Sequence, residues 1–243
     1  CWPGIFLGAL ITNLFIGDLN SPVALAIAFG NTAGPMLGAL LLQKVMGFQN
    51  DFMCGRDVTP FLLIGSGSML LTASIGVFTL YAGGMLPFDL LSQAWIGWWL
   101  GDTVGVLVFT PLLLFLLNDW RTSVLQWPPI KLEFILVLGS CVCLAWLIFG
   151  GVPVISQRML PLAFLVFPPL IWAGLRLSAL ETFAVVLVIA SVAVIGTAKG
   201  AGPFSSGDLQ LDQLILCIFI ATITLIAFMM IGIQASQRKA EQQ

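Results

Sequence analysis

The chain has 243 residues, 59% of them hydrophobic and 8% charged, whereas a soluble domain carries about 25% charge, so an ordinary water-soluble fold is excluded. A net charge of -2, from nine Lys plus Arg against eleven Asp plus Glu, leaves no basic face for nucleic acid. Histidine is absent, which removes the commonest haem and zinc ligand and the usual proton switch near neutral pH; neither cofactor nor metal is expected.

Apolar runs interrupted by Gly, Pro and charge predict eight spans, at about 3–17, 22–46, 59–82, 90–117, 132–150, 159–175, 179–197 and 210–235. The expected fold class is therefore all-α, a polytopic transmembrane helical bundle with the lipid bilayer as its main solvent. The first span is short, and the chain opens Cys1-Trp2-Pro3 with neither Met nor a charged leader, so it reads as a window cut from a longer polypeptide. The sixth carries Pro161, Pro168 and Pro169 and is expected as a kinked or broken helix whose freed carbonyls find neighbouring donors.

The eighth run passes without proline from Leu209 into Gln234-Ala235-Ser236-Gln237-Arg238-Lys239-Ala240-Glu241. As a helix to Gln243 it would reach ~52 Å, against a hydrocarbon core of ~30 Å, so it should project from the membrane. Residues 1–235 are expected to form the bundle, and 236–243 the start of a cytoplasmic linker or signalling helix.

Orientation follows from the basic residues. Lys44, Arg56, Arg121, Lys131, Arg176, Arg238 and Lys239 fall on one side of an eight-span arrangement, and Arg158 and Lys199 on the other. That bias predicts a cytoplasmic C-terminus. The opposite loops, 18–21, 83–89, 151–158 and 198–209, are too short to hold a ligand-binding domain, so any stimulus must be read within the bundle, at its rim or through a partner.

The cysteines lack metal-ligand spacing and read as small apolar packers. Cys141 and Cys143, two apart, point roughly 200° apart on a helix.

Trp95-Ile96-Gly97-Trp98-Trp99-Leu100-Gly101-Asp102 is the most informative stretch, continuing through Gly105 to Thr110-Pro111. It places an aspartate near the middle of a span, where insertion costs about 2.5 to 3.5 kcal/mol. Such an acid should be buried beside a polar or basic group, with Asn or Arg side chains of other spans the expected partners. Trp95, Trp98 or Trp99, and Asp102 share a helical face, while Gly101 and Gly105 form a small-xxx-small pair.

This segment resembles the MASE1 family of bacterial membrane-associated sensor domains. Supporting matches run in family order: Trp2-Pro3-Gly4-Ile5-Phe6-Leu7-Gly8 with Asn13, Gly30-Asn31-Thr32, Arg56-Asp57-Val58, Phe167-Pro168 with Trp172 and Arg176, and Gly200 with Gly202-Pro203-Phe204. Two departures stand out. The family's opening helix has no counterpart in this sequence, and the glycine-rich step after Arg176 reads Leu177-Ser178-Ala179-Leu180.

The resemblance implies a sensory input module of the bacterial inner membrane, not itself an enzyme. Such modules precede diguanylate cyclase or phosphodiesterase domains of c-di-GMP signalling, or the histidine kinase core of a two-component system. The stimulus would be an unknown small ligand or a membrane-protein partner, and the last helix would relay it, pairing with its twin in a homodimer.

Candidate ligand-binding or signalling residues are Asp102, Trp95, Trp98, Trp99, Asn13, Asn31, Trp172 and Arg176. Each also has a plain structural reading. Asp102 could pair helices, the tryptophans could belong to an interfacial belt, Asn13 and Asn31 could bridge spans, and Arg176 could snorkel to the interface. A secondary transporter or channel is the alternative function, because broken helices and a midplane acid also mark transport sites.

Overall fold

The computed structural model describes residues 2–17, 19–45, 47, 55–122, 131–151 and 157–241. Cys1 and Cys54 lie outside the described residues, as do the side chains of Arg56, Asp57, Arg121, Arg158, Arg238 and Lys239, on which part of the charge bias rests. Every regular element is helical, and no strand occurs among the described residues.

Among the described residues eight α-helices follow in order: α1 Trp2–Phe15, α2 Ser21–Leu40, α3 Gly55–Ala82, α4 Leu91–Thr122, α5 Leu132–Phe149, α6 Phe167–Arg176, α7 Ala179–Ala198 and α8 Leu209–Glu241. Six segments among the described residues, all but α1 and α6, are long and apolar enough to cross a membrane. Trp2–Phe15 and Leu160–Arg176 are shorter apolar segments, so the count of about eight is roughly met.

The sixth segment breaks where its prolines predict. A 3-10 stretch over Gln157–Val166 contains Pro161, and α6 then starts with Pro168 and Pro169 in its first turn. A missing N–H costs nothing in a first turn, because those donors have no helical partner anyway. The step after Arg176 needs no glycine. Ser178 caps α7, its hydroxyl accepting from the Glu181 amide while the Glu181 carboxylate accepts from Ser178, a reciprocal capping box.

By packing, the chain divides into two units: residues 1–49 with 56–106, and 50–55 with 107–243. Helix α4 contributes residues to both.

In the first unit α1 packs on α2, which begins with Asn20 accepting from the Val23 amide. The face of α2 toward α3 carries Gly30, Gly34 and Gly38 at successive turns. A Cβ at Gly34 would run into the Thr72 hydroxyl, and one at Gly38 would lie 2.5 Å from the Ser68 hydroxyl. The Thr72 hydroxyl uses this closeness to donate to the Gly30 carbonyl at 3.3 Å.

In the second unit α5 packs on α7, and α6 and α7 on α8. One aromatic cluster joins Phe149, Phe204 and Phe219, with ring centroids 5.1 to 5.5 Å apart. Another links Phe183 to both Phe115 and Phe228. At Gly196 the α7 backbone comes so close to the Phe149 carbonyl that a Cβ has no room.

The turn before α8 folds inward. Phe204 and Ser205 are buried, and the Asp212 carboxylate accepts from the Ser206 amide at 2.7 Å and from its hydroxyl at 2.5 Å. Asp208 caps α8 by accepting from the Gln210 and Leu211 amides. From there α8 runs 33 residues without a break, ~50 Å at 1.5 Å per residue. Cys141 is buried and Cys143 exposed, the opposite placement their spacing predicts.

Candidate functional site

The tryptophan-rich first half of α4 lies along α3. Trp95 donates from Nε1 to the Ser74 hydroxyl at 3.0 Å, and Trp99 donates to the Ser66 carbonyl at 2.9 Å. Their rings stack at 6.2 Å and 26°. Trp98 covers Gly76 so closely that a Cβ there would sit 2.6 to 2.9 Å from three of its ring carbons. Trp95 and Trp99 therefore join helices through specific hydrogen bonds, which an aromatic belt facing lipid would not require, and Trp98 does so by packing.

Asp102, one turn beyond Trp98, receives a side-chain hydrogen bond from that indole. Its other oxygen, Oδ2, is buried without a hydrogen-bond partner, as are Asn31 Oδ1 and Thr103 Oγ1. The expected amide or guanidinium from another span is not found beside Asp102 among the described residues: the partner is a tryptophan of its own helix. Helical spacing showed that Trp98 and Asp102 share a face, but it could not show that the indole would turn toward the acid.

Asn13 also departs from expectation. Its side-chain amide donates to the Ala9 carbonyl at 2.8 Å, so it bonds within α1 and does not bridge spans through that amide. Asn31 sits one residue from the α2 seam, and the hydrogen bond its backbone carbonyl would accept within the helix is removed by Pro35.

Trp172 and Arg176 belong to the second unit and come together on a residue the sequence reading passed over. Glu133 Oε1 accepts from Trp172 Nε1 at 3.1 Å and from Arg176 Nε at 3.2 Å. A usable signal was present. Glu133 opens the fifth span and Arg176 closes the sixth, so two opposite charges stand at the same membrane face.

An open apolar groove of about 510 Å³ lies between the start of α2 and the end of α3, bordered by Pro22, Val23, Phe78 and Thr79 among others. None of the eight candidate residues lines it. Among the described residues no cluster of His, Cys, Asp or Glu is suited to hold a metal ion.

Among the described residues the arrangement leaves buried oxygens of Asn31, Asp102 and Thr103 in want of hydrogen-bond partners. No curated protein and no solved structure matches the chain. The MASE1 family model does match, over residues 1–239, essentially the whole length. This chain thus belongs to the MASE1 family, a membrane-associated sensory domain of signalling proteins.

Proposed function

We propose that this chain is the input domain of a bacterial inner-membrane signalling protein, reading a stimulus near Asp102 and passing it through α8 to an output domain. The output would be a diguanylate cyclase, a phosphodiesterase or a histidine kinase. The observation that carries the reading is the unbroken α8: at ~50 Å it exceeds a ~30 Å hydrocarbon core by several turns, as a connecting rod requires.

The buried Oδ2 of Asp102 supports the input end. A carboxylate oxygen without a donor, held inside apolar helices, gains more from a ligand donor or a proton than a satisfied one does. A stimulus needs to supply only about 1 to 3 kcal/mol of coupling to regulate output.

Homodimerisation through α8 is supported by an exposed apolar stripe, Leu214, Ile218, Leu225, Met229 and Ile233, whose spacing keeps it on one face.

Insertion of one to four residues after Gln234 in the full-length protein tests the relay. Output should vary with helical phase and return near the wild-type level at four residues. Output indifferent to insertion length would remove the rod, and solute flux in proteoliposomes would move the reading to a transporter.

A further inference from the structure

The buried face of α8 runs through Ile220, Ile223, Ala227 and Ile231. The next position on that face is Gln234, a polar residue where the pattern asks for an apolar one. Its side-chain amide donates to the Leu175 carbonyl at 2.9 Å and to the Leu177 carbonyl at 3.4 Å. Both carbonyls belong to the end of α6, where a helix has no N–H groups of its own to offer. A neutral amide with two N–H donors fits this pair without bringing a charge into the apolar segment.

The same turn of α6 is gripped from two other sides. The Thr182 hydroxyl, in the first turn of α7, has the Ala173 carbonyl at 3.2 Å as a second acceptor beside the Ser178 carbonyl at 2.9 Å, and Glu133 at the start of α5 holds Trp172 and Arg176. One turn before Gln234, Met230 fills the space a side chain at Gly174 would need, so α6 and α8 meet nearly backbone to side chain. The end of α6 is therefore where α5, α7 and α8 all attach.

At its other end α8 is fixed differently. Phe219 packs into the Phe149 and Phe204 cluster, and Asp212 is bonded to Ser206. Phe219 and Gln234 are 15 residues apart, a lever of ~22 Å.

We propose that Gln234 is a latch: its two hydrogen bonds hold the emerging end of α8 against α6, and a displacement of the α6 end by α5 or α7 releases it to swing about the aromatic anchor. Interhelical hydrogen bonds of this kind are individually weak, which suits a contact that must open on a small stimulus. The inference rests on the reading of α8 as the output element, and it names the contact that sets the resting position of that helix.

The test places spin labels, carried on noncanonical amino acids, at Leu136 on α5 and Ser236 on α8 in the full-length protein in nanodiscs. Both positions are exposed and neither belongs to the latch. Wild type should give one narrow distance distribution. Gln234→Leu should shift or broaden it by about 2 to 5 Å, the scale of helix displacements in switching proteins. Gln234→Glu, of equal size but without N–H donors, should do the same, which separates loss of the bonds from a packing defect. Distributions like the wild type in both variants would overturn the latch. They would leave the relay itself standing, since that fails only if insertions after Gln234 do not change output.

Discussion

The seam between α2 and α3 and the seam between α5 and α7 both set glycine against a neighbouring helix, but what the glycine meets differs. Gly34 and Gly38 meet first the hydroxyl side chains of Thr72 and Ser68, with the Ser68 carbonyl 3.0 Å from a Cβ at Gly34, while Gly196 meets first the backbone carbonyl of Phe149. A hydroxyl can turn to another rotamer at a cost of order 1 kcal/mol; a backbone carbonyl, here at the last residue of α5, moves only with the chain that carries it. The nearest contacts at Gly34 and Gly38 can thus give, and the one at Gly196 cannot. Buried oxygens without a partner occur in both units, at Asn31, Asp102 and Thr103 in the first and at Thr197 and Thr224 in the second, so the seam alone does not sort them.

Substituting the glycines tests this contrast most severely. Gly196→Ala should cost about 3 kcal/mol or more, measured as loss of monodisperse protein or as a lowered unfolding midpoint in detergent titration. Gly34→Ala should cost nearer ~1 kcal/mol, the price of turning Thr72 and losing its bond to the Gly30 carbonyl. Equal losses at the two sites would dissolve the distinction between a yielding and a rigid seam.

Asp102→Asn sharpens the contrast from the polar side. It removes a costly intramembrane acid whose Oδ2 has no donor, so stability should be unchanged or higher by at most about 1 kcal/mol, while signalling falls. A variant that fails to accumulate in membranes would show instead that the acid holds the fold together. The smallest effect is expected at Arg176→Lys. This substitution gives up the Nε contact to Glu133 in an exposed pair, and such pairs contribute little, so the unfolding midpoint should not move measurably.

The spans were legible in the sequence because apolar length and proline placement act locally. The eight predicted runs match the eight helical segments within a few residues at most ends, and the break in the sixth falls where Pro161, Pro168 and Pro169 demand it. The capping box of Ser178 and Glu181 was passed over, although a Ser-x-x-Glu spacing before an apolar run is its mark.

The site was less legible. Hydropathy assigns a residue to the membrane and periodicity to a face, but neither names the neighbour. Glu133 meets Arg176 across 43 positions of sequence, and Gln234 reaches Leu175 across 59. Asp102 showed the reverse error: an expected distant partner gave way to Trp98, four residues away.

The winding of the sixth segment has a consequence for counting. Leu160–Arg176 holds 17 residues, which as an α-helix would rise only ~26 Å, short of a ~30 Å hydrocarbon core. Its first seven residues are wound as a 3-10 helix, which climbs ~2.0 Å per residue instead of 1.5 Å. The same 17 residues then rise ~29 Å. Tighter winding trades hydrogen-bond geometry for reach, so a segment that fails a residue-number threshold still has a contour close to the thickness of the membrane interior, less whatever its break takes away.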